Sequence, residues 1–457
     1  MDIWRNFMHR VGWKSFAVSI MALIAILSMM FLNACDNSAE ADADEITSSL
    51  QSSGSKAKSS SSKKAYPDSF KPNDKEYPYA KIPRIVIETE NRKEVEDRET
   101  EIPAKLQIWG KKEAESEILD LTIRGRGNTS WGAPKKSYKI EFEKKQKLLG
   151  MPKDRDWALI ANYADKTLMK NYLAYHFSMS LNAYYAPRCE FVELYLNGTY
   201  LGVYLLTETV KISKNRVNIE ESDNSYLVEF DKKIRSNEQK IASHVIATDS
   251  IGKIFRIHSP QNASKQTMLA IENHIHDFEI FLKSTRSNKN NNMTEWIDVA
   301  EFVNHYWAQE FTKNPDACYY TSVFFSWEKD GVIKMGPVWD FDLAFGGHNN
   351  EEITDPEGWF IKGCYWNRFV LEDSVVANAK LDFWFTNKDL FKKTVDVVDS
   401  IYGILELAAK NNYKKWDVLQ STKYSFHLNE YRTYRAAVDD LKTWLNRRLE
   451  WIESRMN

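Results

Sequence analysis

The segment NPDACYYTSVFFSWEKDGVIKMGPVWDFDLAFGG carries three aspartates, Asp316, Asp340 and Asp342, on the two flanks of what reads as one β-hairpin. Residues 321–327 are β-branched and aromatic, Lys329-Asp330-Gly331 is a turn signal, and residues 332–339 are apolar again, so the chain runs out and returns. The pattern predicts that Asp316 and Asp340 meet at the foot of the hairpin. Carboxylates gathered there suit two tasks, holding a hard divalent cation through oxygen ligands and accepting a proton from a nucleophile. A structural reading stands beside it: Asp340 and Asp342 bracket a tight turn before Gly346-Gly347, and Asp316 caps the loop after a helix ending near Lys313.

A lysine and a glutamate extend the constellation. If residues 135–142 form a strand, alternation puts Lys136 on the face of Tyr138, Ile140 and Phe142, with Lys135 and Lys139 on the other. A lysine among apolar neighbours needs an anion, either a phosphate or a carboxylate. Glu208, on the face of Gly202, Tyr204 and Leu206, is the natural partner, and a structural salt bridge explains the pair as well as a catalytic one. Gly125, Gly127 and Gly132 lie between two expected strands, where they either cover phosphates or relieve a turn. The spacing GxxxxGK[ST] is absent, which excludes a P-loop.

The elements that must position these residues are legible in outline. From Ile82 the chain alternates (RIVIETE, AKLQIWG, ILDLTIRGRG), then KKSYKIEF follows, and a helical pattern covers residues 166–181. FVELYL and TYLGVYLLTE flank Asn197-Gly198, a strong hairpin signal, and SYLVEF is one more strand. Residues 268–311 read as mainly helical, and the last hundred as amphipathic helices.

The N-terminus has a basic leader (Arg5, His9, Arg10, Lys14), an apolar run over residues 16–32, and Leu32-Asn33-Ala34-Cys35, a bacterial lipoprotein cleavage box. A transmembrane helix is the alternative, disfavoured by the small residue before Cys35 and the polar tract after it. Residues 36–65, rich in Ser, Lys, Asp and Glu, hold too little apolar surface to fold and read as a tether. With Cys35 lipidated, Cys189, Cys318 and Cys364 remain, enough for one disulfide in an oxidising compartment or for three buried thiols. Cys318, two residues from Asp316, is also a candidate nucleophile. The net charge of −2 over 457 residues gives no electrostatic case for nucleic acid.

RGRGNTSWGAPKKSYKIEF, LNGTYLGVYLLTE, NPDACYYTSVFF and GPVWDFDLAFG together resemble the spore-coat protein H (CotH) kinase family, an atypical protein-kinase-like group, from about residue 85 to the C-terminus. The resemblance implies an α+β, kinase-like fold with a β-rich N-terminal part and a helical C-terminal part, Mg²⁺ (or Mn²⁺) with ATP as cofactors, and phosphorylation of protein Ser/Thr. It assigns Lys136 and Glu208 to an ATP-binding ion pair, with Gly125 and Gly127 over the phosphates. Asp316 becomes the catalytic acid at the acceptor hydroxyl, and Asp340 a metal ligand equivalent to the first residue of the kinase DFG motif, with Asp342 as second ligand. No HRD precedes Asp316 and no Asn follows it four or five residues later, a departure from protein kinases.

The expected organisation is a signal peptide over 1–34, lipidated Cys35 and tether over 35–75, a β-rich opening over 80–118, a kinase-like core over 119–350 and a helical part over 351–457. The expected partners are a protein acceptor and the membrane, on the extracytoplasmic side. A surface adhesion or polysaccharide-associated lipoprotein with the same fold is the competing function, supported by the serine-rich tether and the surplus of Trp and Tyr. A glycoside hydrolase ranks third, since no feature sets two carboxylates at a defined separation across a sugar.

Overall fold

In the computed structural model, residues 70–232, 238–247, 251–285, 292–423 and 429–456 are described. All lie within the compact unit of residues 65–457. The leader, the cleavage box with Cys35, and residues 36–69 of the tether fall outside the described residues.

Seven strands close into a barrel in the order β1-β2-β3-β4-β5-β7-β6. They are β1 (Arg84–Thr89), β2 (Ile102–Trp109), β3 (Leu119–Arg126), β4 (Ser137–Gln146), β5 (Asp154–Ile160), β6 (Cys189–Leu196) and β7 (Thr199–Glu208). Alternating side chains fill it: Ile85, Ile87, Leu106, Ile123, Ile140, Phe142 and Leu206 share one buried core. Closure comes from β1, antiparallel to β2 and parallel to β6, which leaves the seven-stranded sheet no free edge. Between β6 and β7, Asn197 (φ 51°) and Gly198 (φ 79°) make the two-residue turn.

The helix α1 (Lys170–Ser180) interrupts this series between β5 and β6. It starts later than its pattern predicts: a turn organised by Asp165 precedes it, the carboxylate accepting the N–H groups of Thr167 (2.8 Å) and Lys170 (2.8 Å).

A second sheet has the order β12-β11-β8-β10-β9. Its strands are β8 (Ser225–Phe230), β9 (Lys240–Ser243), β10 (Lys253–Ser259), β11 (Val323–Glu328) and β12 (Lys334–Met335). Central β8 is buried along its whole length. The expected hairpin forms, with Phe325 opposite Met335, yet its return strand is only two residues long. Pro337 cannot donate a ladder hydrogen bond, so the chain leaves the sheet there. α2 (Lys265–Thr285) contributes Ile271, Ile275 and Phe278 to the core that also holds Val228 and Phe255. α3 (Val299–Thr312) is buried through its C-terminal half and ends at Lys313 in the left-handed conformation. After the one-turn helices α4 (Glu351–Thr354) and α5 (Asn367–Val370) come the long α6 (Ser374–Lys415) and α7 (Tyr434–Met456). No helix among the described residues is long and apolar enough to cross a membrane.

A buried ion pair joins α7 to the base of α3. Arg448 meets Glu310 at 2.8 Å with both side chains inaccessible to solvent, and Arg448 also donates to the Pro356 and Gly358 carbonyls. The Glu310 carboxylate accepts the backbone N–H groups of Phe360, Ile361 and Lys362. Breaking such a pair from one side strands a charge in low dielectric. Arg448→Met should therefore cost about 3–5 kcal/mol, measured as a lower urea midpoint with an unchanged slope.

Candidate active site

The chain between β12 and α4 contains Trp339-Asp340-Phe341-Asp342, and two asparagine side chains hold its backbone. Asn171 of α1 accepts the Phe341 N–H at 2.8 Å. Asn314, just past α3, donates to the Asp340 carbonyl at 3.1 Å and to the Gln309 side chain at 3.0 Å. The Asn314 carboxamide oxygen accepts the Asp316 N–H at 3.3 Å, so one side chain ties the Asp316 turn to Asp340. This delivers the proximity that the hairpin pattern predicts. Asp340 itself sits at φ 63°, a left-handed conformation that Asp tolerates better than most residues but that must be held by its surroundings. Tyr175, one turn along α1 from Asn171, stacks on Trp339 (ring centroids 5.9 Å apart), meets Phe341 edge-on (6.0 Å) and hydrogen-bonds the Asp340 backbone.

The three aspartates act on one another. Burial, then Asp340, Asp316 and Asp165, push the Asp342 carboxyl well above the usual carboxylate range, with Lys170 the opposing charge. Lys170 is buried, donates to the Ala344 carbonyl at 2.9 Å and is drawn down to about 8 by desolvation, against the pull of Asp165 and Asp342. A Cβ on Gly347 would stand 2.2 Å from its ammonium nitrogen, so a glycine there lets the lysine reach the cluster. Beyond Lys170 opens a cavity of about 890 Å³, bordered by Phe345, Glu352, Tyr431, Trp444 and Arg447.

From the barrel side, Arg126 ends β3 with its guanidinium 5.1 Å from the Trp339 ring centroid. Burial lowers its pKa, and Asp340 is the largest influence supporting its charge. The glycine-bearing link therefore begins beside Asp340. Gly125 packs under the Trp131 ring and donates to the Asp97 carbonyl, and the Gly127 carbonyl accepts from Arg98 at 2.7 Å. Gly132 lies in open space at the end of a short 3₁₀ turn.

Two expectations fail here. Lys136 is half-buried and donates to the Trp131 carbonyl, whereas Lys135 is fully buried, bonded to the Val203 carbonyl and the Asn412 side chain (2.9 Å) above the Tyr204 ring. The ladder with β3 begins at Ser137, opposite Arg126, so the alternation of β4 does not extend back to residues 135 and 136. Desolvation holds the Lys135 pKa well below its ordinary value. Glu208 does not pair with Lys136. It binds Arg188 at 2.9 Å, the Arg188 N–H at 3.0 Å and the Tyr185 hydroxyl at 3.0 Å, a structural use of the carboxylate. Cys318 is joined to Cys364 in a disulfide and is no free nucleophile, while Cys189 stays a buried thiol.

Among the described residues no group of three His, Cys, Asp or Glu side chains forms a ready metal cage. The donor set nonetheless fits Mg²⁺ or Mn²⁺, since Mg²⁺ typically takes one or two carboxylates and fills its octahedron with water and phosphate oxygens. Burial raises Asp342 most, and the repulsion from Asp340 and Asp316 that adds to it is what a bound dication would relieve. Asp340 and Asp342 would hold it.

Comparison with protein families places residues 123–452 in the CotH kinase protein family, and the chain belongs to it. No curated protein matches the chain. Lys170, Asn171, Asn314 and Arg126, central to this geometry, were not among the residues expected from sequence. The one local signal for Lys170 is that it is the sole Lys, Arg, Asp or Glu in its helix.

Because the folded state holds the Asp342 proton more tightly than the unfolded chain, its stabilising effect is complete below the ordinary carboxylate pKa and is lost as pH rises above it. Asp342→Asn should therefore raise the metal-free stability at pH 7.5 by about 1–2 kcal/mol and flatten its decline with pH. Mg²⁺ should raise the melting temperature of the wild type and leave that of the variant unchanged. Thermal melts with and without Mg²⁺ at pH 5 and 7.5 measure all three.

Proposed function

We propose that the protein is a phosphotransferase with a kinase-like fold that moves a phosphoryl group from Mg-ATP to a Ser or Thr hydroxyl of a protein acceptor. The observation that carries this reading is the electrostatically coupled set of Asp316, Asp340 and Asp342, held against the glycine-bearing end of β3. In this reading the barrel and the helical part correspond to the two lobes of a kinase, with the nucleotide between the Gly125–Lys136 link and Asp340.

Each side chain then has one task. Asp316, fixed through Asn314, orients the acceptor hydroxyl and takes its proton. Asp340 and Asp342 hold the cation, which when bound neutralises phosphate charge. Arg126 and Lys136, adjoining the Arg126–Ser137 ladder pair, lie on the phosphate side. Lys170 balances the acids from the side of the large cavity, which leaves room for an acceptor segment. The family supports ATP and divalent metal use in general terms.

The same proposal places the domain outside the cytoplasm, anchored through acylated Cys35 after removal of residues 1–34. The Cys318–Cys364 disulfide supports an oxidising compartment. Cys35→Ala should abolish both acylation and cleavage of the leader, seen as a larger, unlipidated species in an extract of expressing cells, and a variant that stays membrane-bound with normal processing would contradict the anchor.

Calorimetry and a transfer assay separate the aspartates. Asp340→Ala should weaken Mg²⁺-dependent ATP binding at least about tenfold, equal to about 1.4 kcal/mol. Asp316→Asn should keep that affinity while transfer falls by about 10²–10⁴. Unchanged metal-dependent affinity in Asp340→Ala, or undiminished transfer in Asp316→Asn, contradicts the assignment.

A further inference from the structure

The Cys318–Cys364 disulfide lies in the turn that carries Asp316. That turn is tight: the Ala317 N–H donates to the Asn314 carbonyl, Cys318 to Pro315 and Tyr320 to Asp316. It then passes through two left-handed residues, Tyr319 (φ 57°) and Ser322 (φ 59°), before β11 begins. Non-glycine residues in that region persist only where surrounding contacts over-determine them.

Two ends of the turn are held differently. On the N-terminal side Asn314 ties it to Asp340 by hydrogen bonds. On the C-terminal side the tie is covalent, to Cys364, with the two Cα atoms 5.2 Å apart. Cys364 follows the 3₁₀ turn Ile361–Gly363, whose backbone N–H groups grip Glu310, and Glu310 belongs to the helix that leads into Asp316. The covalent tie thus closes a ring: α3, Glu310, residues 360–364, the disulfide, and back to Asp316. Hydrogen bonds from Tyr319 to Asn367 (2.7 Å) and from Lys253 to the Tyr319 carbonyl (2.8 Å) hold the same side through the next residue. Cys364 is buried, but Cys318 is partly exposed and faces reductants in solution.

We propose that the Cys318–Cys364 disulfide is the positioning element for Asp316, so that oxidation of the chain switches on phosphoryl transfer while leaving nucleotide binding unchanged. The proposal rests on the phosphotransferase reading above. Chemically the switch is a thiol–disulfide exchange. A dithiol reductant attacks the S–S bond through a mixed disulfide, delivers two electrons and two protons to give the Cys318 and Cys364 thiols, and is itself oxidised to a disulfide. A chain made in a reducing cytoplasm would be inactive there and become competent in an oxidising compartment, where a disulfide oxidant takes two electrons and two protons from the Cys318 and Cys364 thiols and leaves as a dithiol.

The test uses the full chain, purified oxidised, with its Cys318→Ser, Cys364→Ser and doubly substituted variants. Three readouts are taken: Mg-ATP affinity by calorimetry, kcat for transfer to protein acceptors, and amide exchange over residues 314–322. Expected are nucleotide affinities within about twofold of wild type and kcat reduced at least about tenfold, since displacing a catalytic group by about 1 Å costs up to about a hundredfold. Each single variant should equal the double, with faster exchange confined to the turn. Dithiothreitol should bring wild type down to the variant rate, reoxidation should restore it, and the double variant should respond to neither. The wild-type reduction cycle keeps the test valid if a serine variant fails to fold. Transfer at the wild-type rate by the reduced protein overturns the proposal, as does a parallel fall in kcat, nucleotide affinity and melting temperature. Absence of transfer by oxidised wild type overturns the phosphotransferase reading itself, and the proposal with it.

Discussion

Two asparagine side chains fix the backbone around Asp340, and the rest of the site depends on them. A left-handed Asp340 between two bulky aromatic residues is not a conformation the local chain prefers. Asn171 accepting from Phe341 and Asn314 donating to Asp340 satisfy the backbone polar groups that this conformation turns away from any regular ladder. Because Asn171 stands on α1 and Asn314 at the end of α3, the two helices are brought to the same short segment. The Asp316 turn and Lys170 arrive with them. The Tyr175 ring, between Trp339 and Phe341, excludes the water that would otherwise compete for these bonds.

The charges gathered there destabilise the fold locally, and elsewhere charge is handled differently. Glu310 and Arg448 are fully buried, but each is saturated with partners, so the pair fixes geometry at little net electrostatic gain. Glu279 is likewise buried and accepts from Tyr365 and Trp366. In contrast, Asp342 faces three other carboxylates and one lysine. A cluster in which like charge outnumbers its compensation is what a site keeps in readiness for a cation or a proton. The stability it forgoes is recovered from the two cores and from the long helices behind them.

Much of this was legible in the sequence where the information is local. The Asn197-Gly198 turn, the alternation of β2 and β4, and the hairpin that returns the chain to Asp340 all follow from neighbouring residues. The failures are equally specific. Lys135 and Lys136 were sorted by a pleat that starts only at Ser137, and no rule of alternation marks where a ladder begins. The strand pattern pairs Glu208 with a lysine, whereas its partner is Arg188, just ahead of the adjoining strand β6. Lys170, Asn171 and Asn314 act over long sequence separations that local periodicity does not encode, and the choice of Cys364 over Cys189 as partner for Cys318 is of the same kind.

The proposed function requires that Asp340 and Asp342 together hold a divalent cation against a nucleotide. The most direct measurement is a crystal of the protein grown with Mn²⁺ and a non-hydrolysable ATP analogue, with anomalous scattering locating the metal. The expected result is an anomalous peak ligated by carboxylate oxygens of Asp340 and Asp342 and by phosphate oxygens, with the triphosphate directed toward Asp316 and Arg126. A bound analogue whose metal contacts neither aspartate, or a nucleotide seated away from the Gly125–Lys136 link, would contradict it.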